Sequence, residues 1–154
     1  RHYADLQKFV IERGLGGRII HLGLVSSADL LDLFRHAAAV VQPSLFEGWS
    51  TVVEDAKAVG RPIFLTDLAV HREQSMAPNP FYFFPPGDAT ALADLIAAQW
   101  PRLSPGPDPV AEMSAAMARR ARARTSARAF LAIMREIAAA PRSQTAPITP
   151  RVGS

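Results

Sequence analysis

Apolar and polar positions along the chain follow two different spacings, and the changes from one to the other mark its elements. From Tyr3 to Arg13 the apolar residues Leu6, Phe9 and Val10 recur as on one face of a helix. The glycine-rich run Gly14 to Gly17 stops that helix. Arg18 to Gly23, RIIHLG, is a short apolar run that reads as a buried strand centred on Ile19 to Leu22. Ser26 and Asp29 then stand three apart, as in a capping box with Asp in place of Glu or Gln. The helix they open puts Leu30, Leu31, Phe34, Ala37 and Ala38 on one face. A strand over Ala39 to Val41 ends at Pro43, a helix over Thr51 to Val59 ends at Gly60, and Pro62 to Thr66 forms the next strand. Phe81 to Phe84 (FYFF) is a fourth, and Asp88 caps a helix running through Ala98. Beyond Pro101 to Pro109, two helices are expected, Val110 to Arg124 and Ser126 to Ala140.

The strands are apolar runs without a polar side, and helices alternate with them. That combination belongs to a parallel sheet covered on both faces, an α/β doubly wound domain. The opening, RHYADLQKFVIERG, reads as the middle of such a domain, with its first strands expected upstream. The expected organisation is a partial ligand-binding domain over 1–100, a linker over 101–109, C-terminal helices over 110–140 and a disordered tail over 141–154.

Composition narrows the classes without choosing among them. Of the 154 residues, 49% are hydrophobic, enough for a real core. No apolar run reaches the roughly 18 residues that suggest a membrane span. The absence of cysteine excludes disulfides and thiolate chemistry and fits a reducing, cytoplasmic setting. The net charge of +3 is modest for a nucleic-acid binder, and a single aromatic residue, Phe130, falls among the arginines from Arg119 to Arg135, too little for an interleaved basic-aromatic face. An anionic membrane surface or a phosphate-bearing ligand fits that surplus as well, which allows a peripheral contact with the inner membrane face.

The candidate chemistry lies at a helix start. In open α/β sheets, ligands sit beyond the carboxyl ends of the strands. The segment Ser44 to Thr51 (SLFEGWST) occupies such an end, where the unpaired amides and dipole of the next helix favour a phosphate. Gly48 lets a ligand approach the backbone. Glu47 can accept hydrogen bonds from sugar hydroxyls, and Glu54 or Asp55, a turn into the helix, can take a ribose diol.

These residues carry a resemblance. FEGWSTVVEDAKAVGRPIFLTD resembles the signature region of retaining GT-B glycosyltransferases, family 4 in particular. The flanking segments RIIHLGLVSSADLLDLFRHAAAVVQPS and YFFPPGDATALADLI are similar to those around it, so the likeness covers roughly Tyr3 to Ala139. The resemblance implies the Rossmann-like, C-terminal half of a GT-B fold. It implies transfer of a hexose from a nucleotide diphosphate sugar to an acceptor hydroxyl, with retention and without metal or other cofactor. Glu47 is then the catalytic carboxylate on the donor sugar. Backbone amides of Gly48, Trp49, Ser50 and Thr51 hold the sugar and diphosphate, and Leu24 and Val25 lie against the base. Gapless matching pairs the second family glutamate with Asp55; Glu54 lies one residue early but reaches further. The family's Arg and Lys on the diphosphate, and its acceptor-binding N-terminal domain, lie upstream of these residues. A chain of these residues alone is therefore expected to be inactive and, with apolar sheet surface uncovered, to self-associate. The arginine-rich final helix would cross back to that partner domain.

Plainer readings stand beside these. Thr51 and Glu54 form a capping box if Thr51 is the N-cap. Trp49 reads first as packing against neighbouring elements. His71 and Arg72 either reach the crevice or form a loop pair. His2, His21 and His36 lack metal-ligand spacing, and the glycines of GLGG precede a strand and so form no dinucleotide fingerprint. Two rival functions remain: a GT-B-shaped nucleotide-sugar epimerase, and a non-enzymatic basic module on nucleic acid.

Overall fold

The computed structural model describes residues 2–76 and 78–139; the segment expected as a disordered tail, 141–154, lies outside them. The elements run α1 (His2–Glu12), α2 (Ser27–His36), β1 (Val40–Gln42), α3 (Thr51–Ala58), β2 (Ile63–Thr66), α4 (Ala69–Gln74), β3 (Phe81–Phe84), α5 (Ala89–Gln99) and α6 (Pro109–Ala139). A short 3₁₀ turn at Trp100–Arg102 joins α5 to the following loop.

The sheet is parallel, in the order β1-β2-β3. Val40 pairs with Ile63 and Ile63 with Phe81, so each crossover through α3 or α4 advances the chain one strand. β2 is buried at every position, which places apolar cover on both faces of the central strand. On one face, Ile63 and Leu65 meet Val40, Val53 and Ala56, with Phe34, Val52, Phe81 and Phe83 around them. Phe64 stacks on Tyr82 with ring centres 4.9 Å apart. The α/β fold with a Rossmann-like parallel sheet is the one expected.

Two local expectations fail. Residues 19–22 form no strand: Ile19, Ile20 and Leu22 are exposed, and no strand among the described residues pairs with them. An apolar run becomes a strand only when a neighbour accepts its ladder, and β1 meets only β2. The expected break at Thr125 is also absent, since α6 is one helix of 31 residues. Thr125 turns its hydroxyl back onto the Ala121 carbonyl, 3.2 Å away, and no Gly or Pro interrupts the helix there.

Leu65→Ala tests this core. Leu65 is fully buried, and its truncation should destabilise the fold by about 2–5 kcal/mol. Leu22→Ala should stay within about 0.5 kcal/mol, because Leu22 is exposed. Equal losses in denaturant titration would restore the missing strand.

Gly60 ends α3 with φ +71, and a Cβ built there would stand 2.7 Å from the Ala111 backbone of α6. Conformation and space both demand glycine. The loop before α6 is tied back to the sheet. Buried Arg61 donates from Nη1 to the carbonyls of Ala37 (3.0 Å) and Gly106 (2.8 Å), and the Gly106 amide donates to the His36 carbonyl. Arg35 and Glu112 form a two-point pair between α2 and α6.

Candidate functional site

β1 ends at Gln42, and Pro43, which has no amide hydrogen, turns the chain out of the sheet. Thr66, the last residue of β2, fixes where it goes. The buried Thr66 hydroxyl donates to the Ser44 carbonyl at 2.6 Å, with the Gln42 carbonyl at 3.2 Å. The loop from Ser44 to Ser50 thus begins from a fixed point at the carboxyl ends of two strands.

Within that loop Glu47 is half-buried and held in place. Its Oε1 accepts from Gln42 Nε2 at 2.7 Å and from the Ser44 hydroxyl at 2.8 Å. The Ser44 hydrogen bond, then that of Gln42, holds the Glu47 carboxyl below the ordinary carboxylate range. Partial burial opposes this, and nearby His71 acts in the same direction as the hydrogen bonds. Neither donor to Glu47 carries a charge, so the negative charge is kept without being neutralised.

The start of α3 follows directly. Ser50, and not Thr51, is the N-cap, and no side chain caps the helix. The capping-box reading of Glu54 therefore fails. The Glu54 carboxylate instead accepts from Lys57 Nζ at 2.8 Å and from Gln74 Nε2 at 3.0 Å. Asp55 is exposed on the next position of the turn. Gly48 has neither a positive φ nor any protein atom within 4 Å of where its Cβ would stand, so the protein's own packing does not require glycine there. Trp49 is 54% exposed.

Of the amides expected on a diphosphate, that of Ser50 is already engaged, donating to Gln74 Oε1 at 3.2 Å. The Ser50 hydroxyl is buried without a partner. α4 packs directly against this helix start, through Gln74. His71 is wholly buried, its Nδ1 2.7 Å from the Thr66 carbonyl, so Nδ1 is the donor and Nε2 is left without a partner. Arg72 forms a two-point pair with Asp67 (2.7 and 2.9 Å) and lies 3.8 Å over the Phe83 ring.

The structure thus brings Glu47, Gly48, Trp49, Ser50, Thr51, Glu54 and Asp55 together around one loop and helix start. Leu24 and Val25 lie just ahead of α2 in the chain. Leu24 is fully exposed and Val25 partly so, and no hydrogen bond ties either to the Glu47 loop. Sequence reasoning missed Gln42, Ser44, Lys57 and Gln74. Gln42 and Ser44 flank a helix-breaking proline just ahead of Glu47, a signal that was available. Gln74 meets Ser50 from 24 positions away, and nothing local points to it.

Comparison with known proteins decides the family. The family described as Glycosyl transferases group 1 matches residues 2–100. The chain belongs to that family. The matched residues of this group 1 glycosyltransferase chain include the Glu47 loop, α3 and α4. It is similar to D-inositol 3-phosphate glycosyltransferase of Paenarthrobacter aurescens (strain TC1), with 34% identity over 64 residues. That stretch is 42% of this chain and 16% of the relative, so the chain spans about a sixth of the curated relative it matches. No solved structure matches it. Among the described residues, no helix of this family member is long and apolar enough to cross a membrane.

Proposed function

We propose that this chain is the donor-binding part of a retaining GT-B glycosyltransferase of family 4. It holds a nucleotide diphosphate sugar while a hexose passes to an acceptor hydroxyl. The observation that carries the reading is Glu47, an ionised carboxylate fixed by two uncharged donors ahead of an uncapped helix start. Glu47 accepts from donor-sugar hydroxyls and faces the positive charge that develops on the sugar ring as the leaving diphosphate departs. The amides of Gly48, Trp49 and Thr51 and the dipole of α3 receive the diphosphate. The open side of Gly48 leaves room for that approach.

Asp55 takes the ribose diol in this reading, because the Glu54 carboxylate is already engaged by Lys57 and Gln74. The exposed Trp49 borders the sugar, and Leu24 and Val25 border the base. No divalent cation takes part, so a chelator should leave the rate unchanged. The acceptor is held by an N-terminal domain of the same enzyme.

Anomeric analysis of the product by NMR tests the stereochemistry: the product keeps the donor's configuration, and inversion would overturn the reading. Asp55→Ala in the complete enzyme should raise the donor KM about tenfold or more, as expected for losing a charge-assisted bond of roughly 1.5–3 kcal/mol. Glu54→Ala should act mainly on stability, since it strands the buried Lys57 ammonium. An unchanged donor KM in Asp55→Ala, with a raised one in Glu54→Ala, would reverse the assignment.

A further inference from the structure

We propose that Gln74 is a positioning residue for this site, setting the junction between the Glu47 loop and α3 from the neighbouring helix α4. The inference rests on the donor-site reading above.

The Gln74 side chain is 1% exposed and uses every hydrogen it can donate. One Nε2 hydrogen goes to the Ser50 carbonyl at 2.9 Å and the other to Glu54 Oε1 at 3.0 Å. Its Oε1 accepts the Ser50 amide at 3.2 Å. The side-chain amide pairs with the Ser50 backbone as a neighbouring strand would, through both its N–H and its C=O. It does so at the residue where a helix is ordinarily fixed by its own cap. The Ser50 hydroxyl performs no such capping. The place where the loop becomes helix is therefore set by α4.

That junction governs the distance from Glu47 to Asp55, which stand on either side of it. Gln74, together with Lys57, also holds the Glu54 carboxylate, leaving Asp55 as the exposed acid of that turn. The task needs one acceptor and two donors at the reach of this side chain. Glutamate supplies no donors when ionised, methionine supplies neither kind, and asparagine is one carbon short. The charged or titratable groups nearest the amide are Glu54 and Lys57 on α3 and His71, one turn back on α4.

The test uses Gln74→Met and Gln74→Glu in the complete enzyme, with donor KM and kcat measured across pH and uridine and guanosine diphosphate sugars as probes. Amide hydrogen exchange at Ser50 is followed in this chain alone. Gln74→Met should raise the donor KM about tenfold or more, with a smaller change in kcat, and should speed exchange at Ser50. Gln74→Glu can restore one of the two donated bonds, that toward Glu54, only while its carboxyl is protonated, so its KM should there lie between those of the wild type and Gln74→Met. Its KM should climb as pH rises through that titration, in a window where the wild type is flat. If Gln74→Met does not fold, this acid-side rescue carries the test.

Wild-type donor KM in both variants at every pH, or unchanged exchange at Ser50, would overturn the positioning role. A wild-type enzyme that never saturates with either donor overturns the donor-site reading instead. In that case exchange at Ser50 still decides whether Gln74 sets the junction.

Discussion

Titrated alone with uridine or guanosine diphosphate sugars, this chain is expected to bind no more tightly than millimolar. The amides at the start of α3 and its dipole contribute a few tenths to about 2 kcal/mol toward an anion. The donor site proposed here would draw an Arg and a Lys from outside these residues, each charge-assisted bond worth roughly 1.5–3 kcal/mol. The cations of α3 and α4 do not replace them. Lys57 is buried against Glu54, and Arg72 is paired with Asp67. Losing two such bonds forfeits roughly 3–6 kcal/mol, about a hundredfold to ten-thousandfold in affinity. Calorimetry on the purified chain measures this directly, and a micromolar constant would place the phosphate grip within these residues.

In the complete enzyme, Glu47→Ala should lower turnover by at least about tenfold, equivalent to about 1.4 kcal/mol or more of lost transition-state stabilisation. Glu47→Gln should do nearly as much, because it keeps the shape and removes the charge. The pH dependence has a definite sign. Hydrogen bonds from Ser44 and Gln42 depress the Glu47 pKa, so its charge is fully present above the ordinary carboxylate range. As pH falls, the charge is lost only on passing through the lowered folded value. The acid limb of the rate profile should therefore lie below the ordinary glutamate range. It should move upward in Ser44→Ala, which removes the donor with the largest effect. Wild-type turnover in Glu47→Gln would reduce Glu47 to a loop residue.

How much of this was legible depended on whether the decisive contact was local. The Ser26 cap is closed by Asp29 three residues on, and Gly14 and Gly60 take the left-handed conformation that ends α1 and α3. Each could be read from a short window. β2 and β3 could be read because their apolar runs find neighbours, and Ile19 to Leu22, equally apolar, finds none. The capping-box reading of Glu54 failed because the cap falls one residue earlier than Thr51, and because the Glu54 carboxylate meets a partner on α4. The acid that looked like a helix cap is held by Gln74, 20 positions further along the chain. Periodicity carries no information about such a contact, since it depends on where two crossovers come to rest.

The close approach of Gly60 to Ala111 has a mechanical consequence. No side chain separates α3 from α6 at that point, so the two backbones bear on each other and α6 has a fulcrum near its amino end. From Ala111 to Ala139 the helix reaches ~42 Å at its ordinary rise per residue. Every residue from Arg119 to Ala139 is exposed. A tilt of about 5° at the fulcrum would therefore swing the far end by about 4 Å. The same contact lies one residue before Arg61, whose guanidinium grips the loop leading into α6. Any change of angle at the amino end of α6 would thus be multiplied along the exposed length of the helix, beyond its bonds from Arg35 to Glu112 and from Arg122 to Met76.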